Sequence, residues 1–106
     1  MSVNKLSGAE KEVIRHVVGE RREMIEGIVG LLSAVVGEGE ALSSTIAVAL
    51  MGEVNRIEVA GGDSYGLFSL EEVRALARRI DVRGDVDMQN ELKAVCAPLF
   101  QVQVRW

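Results

Sequence analysis

The stretch Gly27-Ile-Val-Gly-Leu-Leu-Ser-Ala-Val-Val-Gly37 constrains this chain more than any other. It carries no charge. From Ile28 to Val36 a helix would be apolar nearly all round, so packing on one side cannot hide it. The run is about half the ~20 residues needed to span a bilayer, which excludes a membrane helix. A chain of 106 residues holds one domain and one core, with few helices to surround such a segment. The expectation is burial between subunits, with Ile28, Leu32 and Val35 at the interface. Gly27 and Gly30 would let a second helix come close.

The rest of the chain is read around this segment. Ser7 and Glu10 have capping-box spacing, so a helix begins at Gly8. Its apolar stripe runs Ile14, Val18, Ile25, Ile28, Leu32, Val35. Arg21 falls where the stripe should continue, as a polar interruption in one long helix or as a break between two. Gly37 and Gly39 end the element. A second helix follows from Ala41, with Leu42, Ile46, Leu50, Val54 and Ile57 on one face and Ser43 or Ser44 as its cap. Its tail, Arg56-Ile-Glu-Val-Ala60, reads equally as helix or strand.

In Phe68-Ser-Leu-Glu-Glu-Val-Arg-Ala-Leu-Ala-Arg-Arg-Ile80 the local signals agree. Ser69 caps, Glu72 completes the box, and acidic and basic residues sit at the dipole ends that favour them. Asp85 or Asp87 starts a last short helix carrying Met88, Leu92, Val95 and Leu99. Pro98 disfavours helix at Ala97 and is expected to release the chain into a final strand. In that strand, Phe100-Gln-Val-Gln-Val-Arg-Trp106, apolar and polar residues alternate. A lone strand cannot satisfy its own backbone. Residues 56–60 are its internal candidate partner, with Glu58 facing Arg105, and otherwise Val102, Val104 and Trp106 join the interface list. The fold class is therefore mainly α: a single domain over residues 1–106, four to five helices plus a C-terminal β-strand.

Several chemistries fall away. Gly62-Asp-Ser-Tyr-Gly66 matches the nucleophile-elbow pattern G-x-S-x-G, but the single histidine, His16, lies upstream, and the chain is too short for the sheet that such a site requires. One His and one Cys cannot build an N/S zinc site in one chain. Asp81, Asp85 and Asp87 lack the order of a calcium loop. No nucleophile, base and orienting group occur together, so no enzyme activity, catalytic residue, metal or cofactor is expected. Cys96 is the single cysteine, so no intrachain disulfide can form, and the opening Met1–Val13 lacks the apolar run of a signal peptide, so the expected location is the cytoplasm. Arginine outnumbers lysine while Asn and Gln are sparse, a composition that leans toward thermophiles.

A net charge of −4 argues against a dominant nucleic-acid footprint. The one local exception is Arg74 and Arg78, four apart on a helical face, followed by Arg79. These three are the candidate anion- or nucleic-acid-binding residues, set against ion pairing with Glu71, Glu72 and Asp81.

Two family resemblances follow. Phe68–Ile80, a turn, Asp87–Leu99 and the closing strand resemble a winged-helix DNA-binding domain, which implies a nucleic-acid-binding or transcriptional regulator. The helix that would read the DNA is not basic, and a wing needs a second strand. Ile28-to-Val54, IVGLLSAVVGEGEALSSTIAVALMGEV, followed by the Ser69 helix, resembles the small helical subunit of archaeal type I-A CRISPR interference complexes. The match is in element order over about residues 24–99. It implies a non-catalytic subunit that packs against neighbours and helps to hold guide RNA or displaced DNA. The main expectation is a non-catalytic interaction module, a homo-oligomer or small subunit of a larger assembly. Its partner is protein, with nucleic acid as the alternative and no membrane.

Overall fold

The computed structural model describes residues 5–100. The order of elements is α1 (Gly8–Glu20), α2 (Arg22–Val36), α3 (Glu38–Val59), β1 (Ser64–Tyr65), β2 (Phe68–Ser69), α4 (Leu70–Ile80) and α5 (Val86–Phe100). The domain is mainly helical, with one small antiparallel hairpin among the described residues. α3 is the central element, touched by each of the other helices. Its fully buried Ile46, Leu50 and Val54 meet Ile14 and Val18 of α1, Ile80 of α4 and Leu92 of α5 in one aliphatic core.

The helix starts follow local chemistry. Ser7 and Ser69 each accept the backbone N–H three residues on, and Glu10 and Glu72 each accept the cap residue's own N–H. Asp85 caps α5, its Oδ1 accepting from the Met88 N–H at 3.0 Å. At Arg21 the chain leaves helical geometry (φ −122°, ψ 29°), so the break, not the interruption, is what forms. The Arg21 N–H still bonds back to the Val17 and Val18 carbonyls, and the Ile25 N–H bonds to the Arg21 carbonyl. The break is a bend between two helices in direct succession.

The expectation for the second helix is corrected at its start. α3 begins at Glu38, several residues before Ser43 and Ser44, and no side chain caps it. Gly37 makes the turn at φ +90°, a conformation that costs glycine little, and its carbonyl accepts the Ala41 N–H. Ser43 instead donates to the Glu40 carbonyl, and Ser44 to Asp81 Oδ1. Gly39, expected to help end the preceding helix, lies inside α3 and is buried. Residues Arg56–Val59 are helical, so they offer no strand edge. Ile57 packs on the core, and Glu58 accepts a hydrogen bond from Arg74 at 2.8 Å.

The strands occur elsewhere. Ser64 pairs with Ser69 and Tyr65 with Phe68, around a turn in which Gly66 takes φ +61°. The hairpin therefore precedes α4, so the C-terminal half reads hairpin, helix, helix. At the other end, Pro98 does not release the chain: α5 continues to Phe100. An interior proline loses the bond that its own N–H would make and sets its ring against the carbonyl four residues back, a cost of roughly 3 kcal/mol that packing must offset. Half-buried Leu99 and Phe100, packed on the core, hold the last turn. The expected strand thus loses its first residue to a helix, and Val102, Val104, Arg105 and Trp106 lie outside the described residues. Among the described residues, no helix is long and apolar enough to cross a membrane.

Candidate interaction face

The segment that dominates the sequence is the least covered in the fold. Of all α2, only Ile25 is fully buried, while Val29 and Leu32 are half-buried. Leu31 is 78% exposed and Val35 80%, and Met24 and Ile28 are also open to solvent. Met24, Ile28, Leu31 and Val35 are spaced four, three and four apart. That spacing puts them in one stripe along the helix, with the a/d periodicity of a coiled-coil seam. The reason is geometric. α2 has α3 on one side, and a helix apolar nearly all round must leave the remaining side in water.

α3 extends this face. Val48, 70% exposed, points outward from the same helical pair. Between α2 and α3 lies a groove of about 300 Å³, lined chiefly by Met24, Ile28, Leu32, Val48, Ala49 and Gly52. A Cβ built on Gly52 meets nothing within 4 Å, and the same is true of Gly27 on α2. Among the described residues, neither glycine has a close neighbour at that position. Glycine in an exposed helix interior costs roughly 0.5–1 kcal/mol relative to alanine, so the isolated chain has no packing gain to set against that cost.

Of the three interface residues expected in this segment, Ile28 and Val35 are exposed and Leu32 lines the groove. Met24, Leu31 and Val48 belong to the face without having been singled out. The signal for Met24 and Leu31 was present in the four-three-four spacing. Val48 carried no such mark, because its exposure depends on where α2 sits.

One end of the groove is polar. Arg21 reaches across to Glu53 of α3, whose side chain is 2% exposed, with Nε donating to Oε2 at 3.1 Å and Nη2 to the same oxygen. Arg56 donates to Oε1 at 2.7 Å. Arg56, and then Arg21, hold the Glu53 carboxyl below its ordinary range despite the opposing cost of burial. This explains why Arg21 falls on an apolar stripe: it turns inward to a buried charge. Tyr65 lies nearby. Burial, then the Glu53 and Glu20 charges, push its phenol up to about 12.

Two of the three arginines of α4, Arg74 and Arg79, are individually engaged. Arg74 donates to Glu58 and Glu71, and Arg79 to Glu10 at 2.7 Å and to the Lys5 carbonyl at 2.9 Å. Arg78 is exposed beside Asp81 in a shallow depression. Ser64 of the G-x-S-x-G stretch is exposed in β1. His16 packs its ring against Tyr65, centroids 5.8 Å apart, beside a second groove of about 460 Å³ between α1 and the hairpin. Among the described residues, no three His, Cys, Asp or Glu side chains converge in a way that could hold a metal. Cys96 is buried, which pushes its thiol up to about 12.

No protein-family model, no curated protein and no solved structure matches this chain.

Proposed function

We propose that this chain is a non-catalytic association module that works as a homo-oligomer, alone or as the repeated small subunit of a larger assembly, and that the α2–α3 face is its contact surface. One observation carries the reading. Leu31, Val35 and Val48 stand largely in solvent on adjoining helices, beside a mostly apolar groove, whereas the other strongly exposed apolar residues, Val59, Leu67 and Val86, are dispersed at the end of α3, in the hairpin turn and at the start of α5. Single exposed apolar residues are ordinary, but a contiguous apolar patch marks an interaction site. The nucleoprotein version, which follows from the resemblance to the small CRISPR subunit, lies within this proposal. There the oligomer would pack beside further subunits that hold RNA or DNA. The regulator version would need Arg74 and Arg79 to leave carboxylates that they already bind, and it has less support.

The test is light scattering on the purified full chain across a concentration series, beside the double variant Leu31→Glu, Val35→Glu. The expected result is a wild type that runs as a multimer at micromolar concentration, and a variant that runs as a monomer with unchanged helical circular dichroism. A wild type that stays monomeric at every concentration would overturn the proposal.

A further inference from the structure

We infer that the occupant of the α2–α3 face is a second copy of this chain, lying with its α2 antiparallel across the groove, on a two-fold axis between Ile28 and Leu31. This rests on the self-association reading and adds to it a partner, an orientation and a register.

The stripe is its own complement. Spacings of four, three and four read the same from either end, so reversing the helix returns the pattern to itself. With the axis between Ile28 and Leu31, Met24 meets the partner's Val35, and Ile28 meets the partner's Leu31. A closed two-fold contact requires such self-matching. The stripe is uncharged, so no like charge is buried when the two copies meet.

Orientation follows from what flanks the stripe. At its start, Arg21 and Arg22 are offset by Glu20 and Glu23, which leaves the positive end of the helix dipole. Past its end, Glu38 and Glu40 stand together in the first turn of α3, just beyond the last residue of α2. A parallel pairing would set Glu38 and Glu40 against their own copies and align the two dipoles. The antiparallel pairing puts each acidic end beside the other copy's helix start. The groove supplies the room. Gly52 has open space where its Cβ would be, and it lies with Ser44 and Ala49 among the residues that line the cleft into which the partner's seam would fit. α2 and α3 of the two copies then form a four-helix arrangement, the usual way to bury such a seam.

The experiment uses Met24→Cys and Val35→Cys, both at exposed positions, in the full chain. Cys96 is 1% exposed, and the unsubstituted protein is the control for it. Each variant is treated alone with dibromobimane, a short thiol–thiol linker, and then the two are mixed. The expected result is a covalent dimer in the mixture, joining position 24 to position 35, and almost none with either variant alone. On antiparallel helices the same-numbered thiols lie about 16 Å apart along the axis. Cross-linking of Val35→Cys with itself would overturn the orientation. A mixture that fails to cross-link, while light scattering still shows a dimer, would overturn the register and leave the broader reading standing. A monomer in light scattering removes both.

Discussion

α4 and α2 are two short helices of one domain built on opposite terms. α4 is complete in itself. A capping box opens it, Glu71 and Glu72 sit in its first turn, Arg78 and Arg79 close it, and Leu70, Val73, Leu76, Ala77 and Ile80 are all buried. Ion pairs from Arg74 to Glu58 and from Arg79 to Glu10 tie its outer side to α3 and α1. α2 has no side-chain cap, no basic residue in its last turn and one fully buried side chain. Its mean hydropathy is nevertheless far higher. Apolar content therefore does not predict how well a helix is buried here. What matters is whether the apolar positions match the neighbours the chain itself provides. Where they match, as in α4, folding uses them. Where they exceed those neighbours, as in α2, the surplus is left for another molecule.

The largest effect expected from this contrast comes from trimming one leucine in each helix. Leu76→Ala removes a side chain that is 3% exposed and should cost about 3.5 kcal/mol of unfolding free energy, the middle of the range for buried leucines. Leu31→Ala, at an exposed site, should change the stability of the dilute monomer by less than about 0.5 kcal/mol. Urea denaturation at low protein concentration measures both. Equal losses would erase the distinction between the two helices.

A smaller effect tests the joint at which α2 starts. Glu53→Gln keeps the shape but removes the charge that Arg21 and Arg56 face, and should cost about 2 kcal/mol at neutral pH, somewhat below the cost of breaking a buried pair outright. The pH dependence has a definite sign. Because the folded carboxyl titrates below its ordinary value, the stabilisation is present above the unfolded value near 4.5 and is lost as pH falls through the folded one. The gap between wild type and Glu53→Gln should therefore close in acid, below about pH 4.5. A gap of constant size from neutral to acid would show that the charge is not what holds Arg21 at the bend.

These contrasts also mark what could be read in the chain. The starts at Ser7 and Ser69 were legible, and that at Asp85 to within two residues, because capping is local: a hydroxyl or carboxylate meets a backbone N–H three residues away. The start of α3 was not, because Gly37 makes that turn with its backbone and leaves no side-chain signature. Residues 56–59 alternate like a strand over too short a span to outweigh the packing of a long helix, and Pro98 was overruled by Leu99 and Phe100 in the same way. In both places tertiary contacts defeated a local rule. The interaction face was half legible. The surplus of apolar residues after Glu26 announced it, while the side that stays open depends on how α3 lies across α2. Glu53 was missed, though it left a trace. Arg21 and Glu53 are opposite charges that each fall on the apolar stripe of a helix, and such a coincidence points to a buried pair.

The smallest effect expected is the most discriminating, because it has two signs. Gly52→Ala adds a methyl to an exposed helical position where the structure has open space. In the monomer, α3 gains helix propensity and loses nothing, so unfolding in dilute solution should become harder by about 0.5–1 kcal/mol. In the oligomer the same methyl intrudes into the groove between α2 and α3, where the partner's seam would rest, so association should weaken. Urea denaturation reads the first change and sedimentation equilibrium the second. If the variant is both more stable and undiminished in association, α3 takes no part in the contact, and the face narrows to the stripe on α2. If it is less stable, the space beside Gly52 is not open, and the contrast drawn between a finished helix and an unfinished one fails at the central helix of the fold.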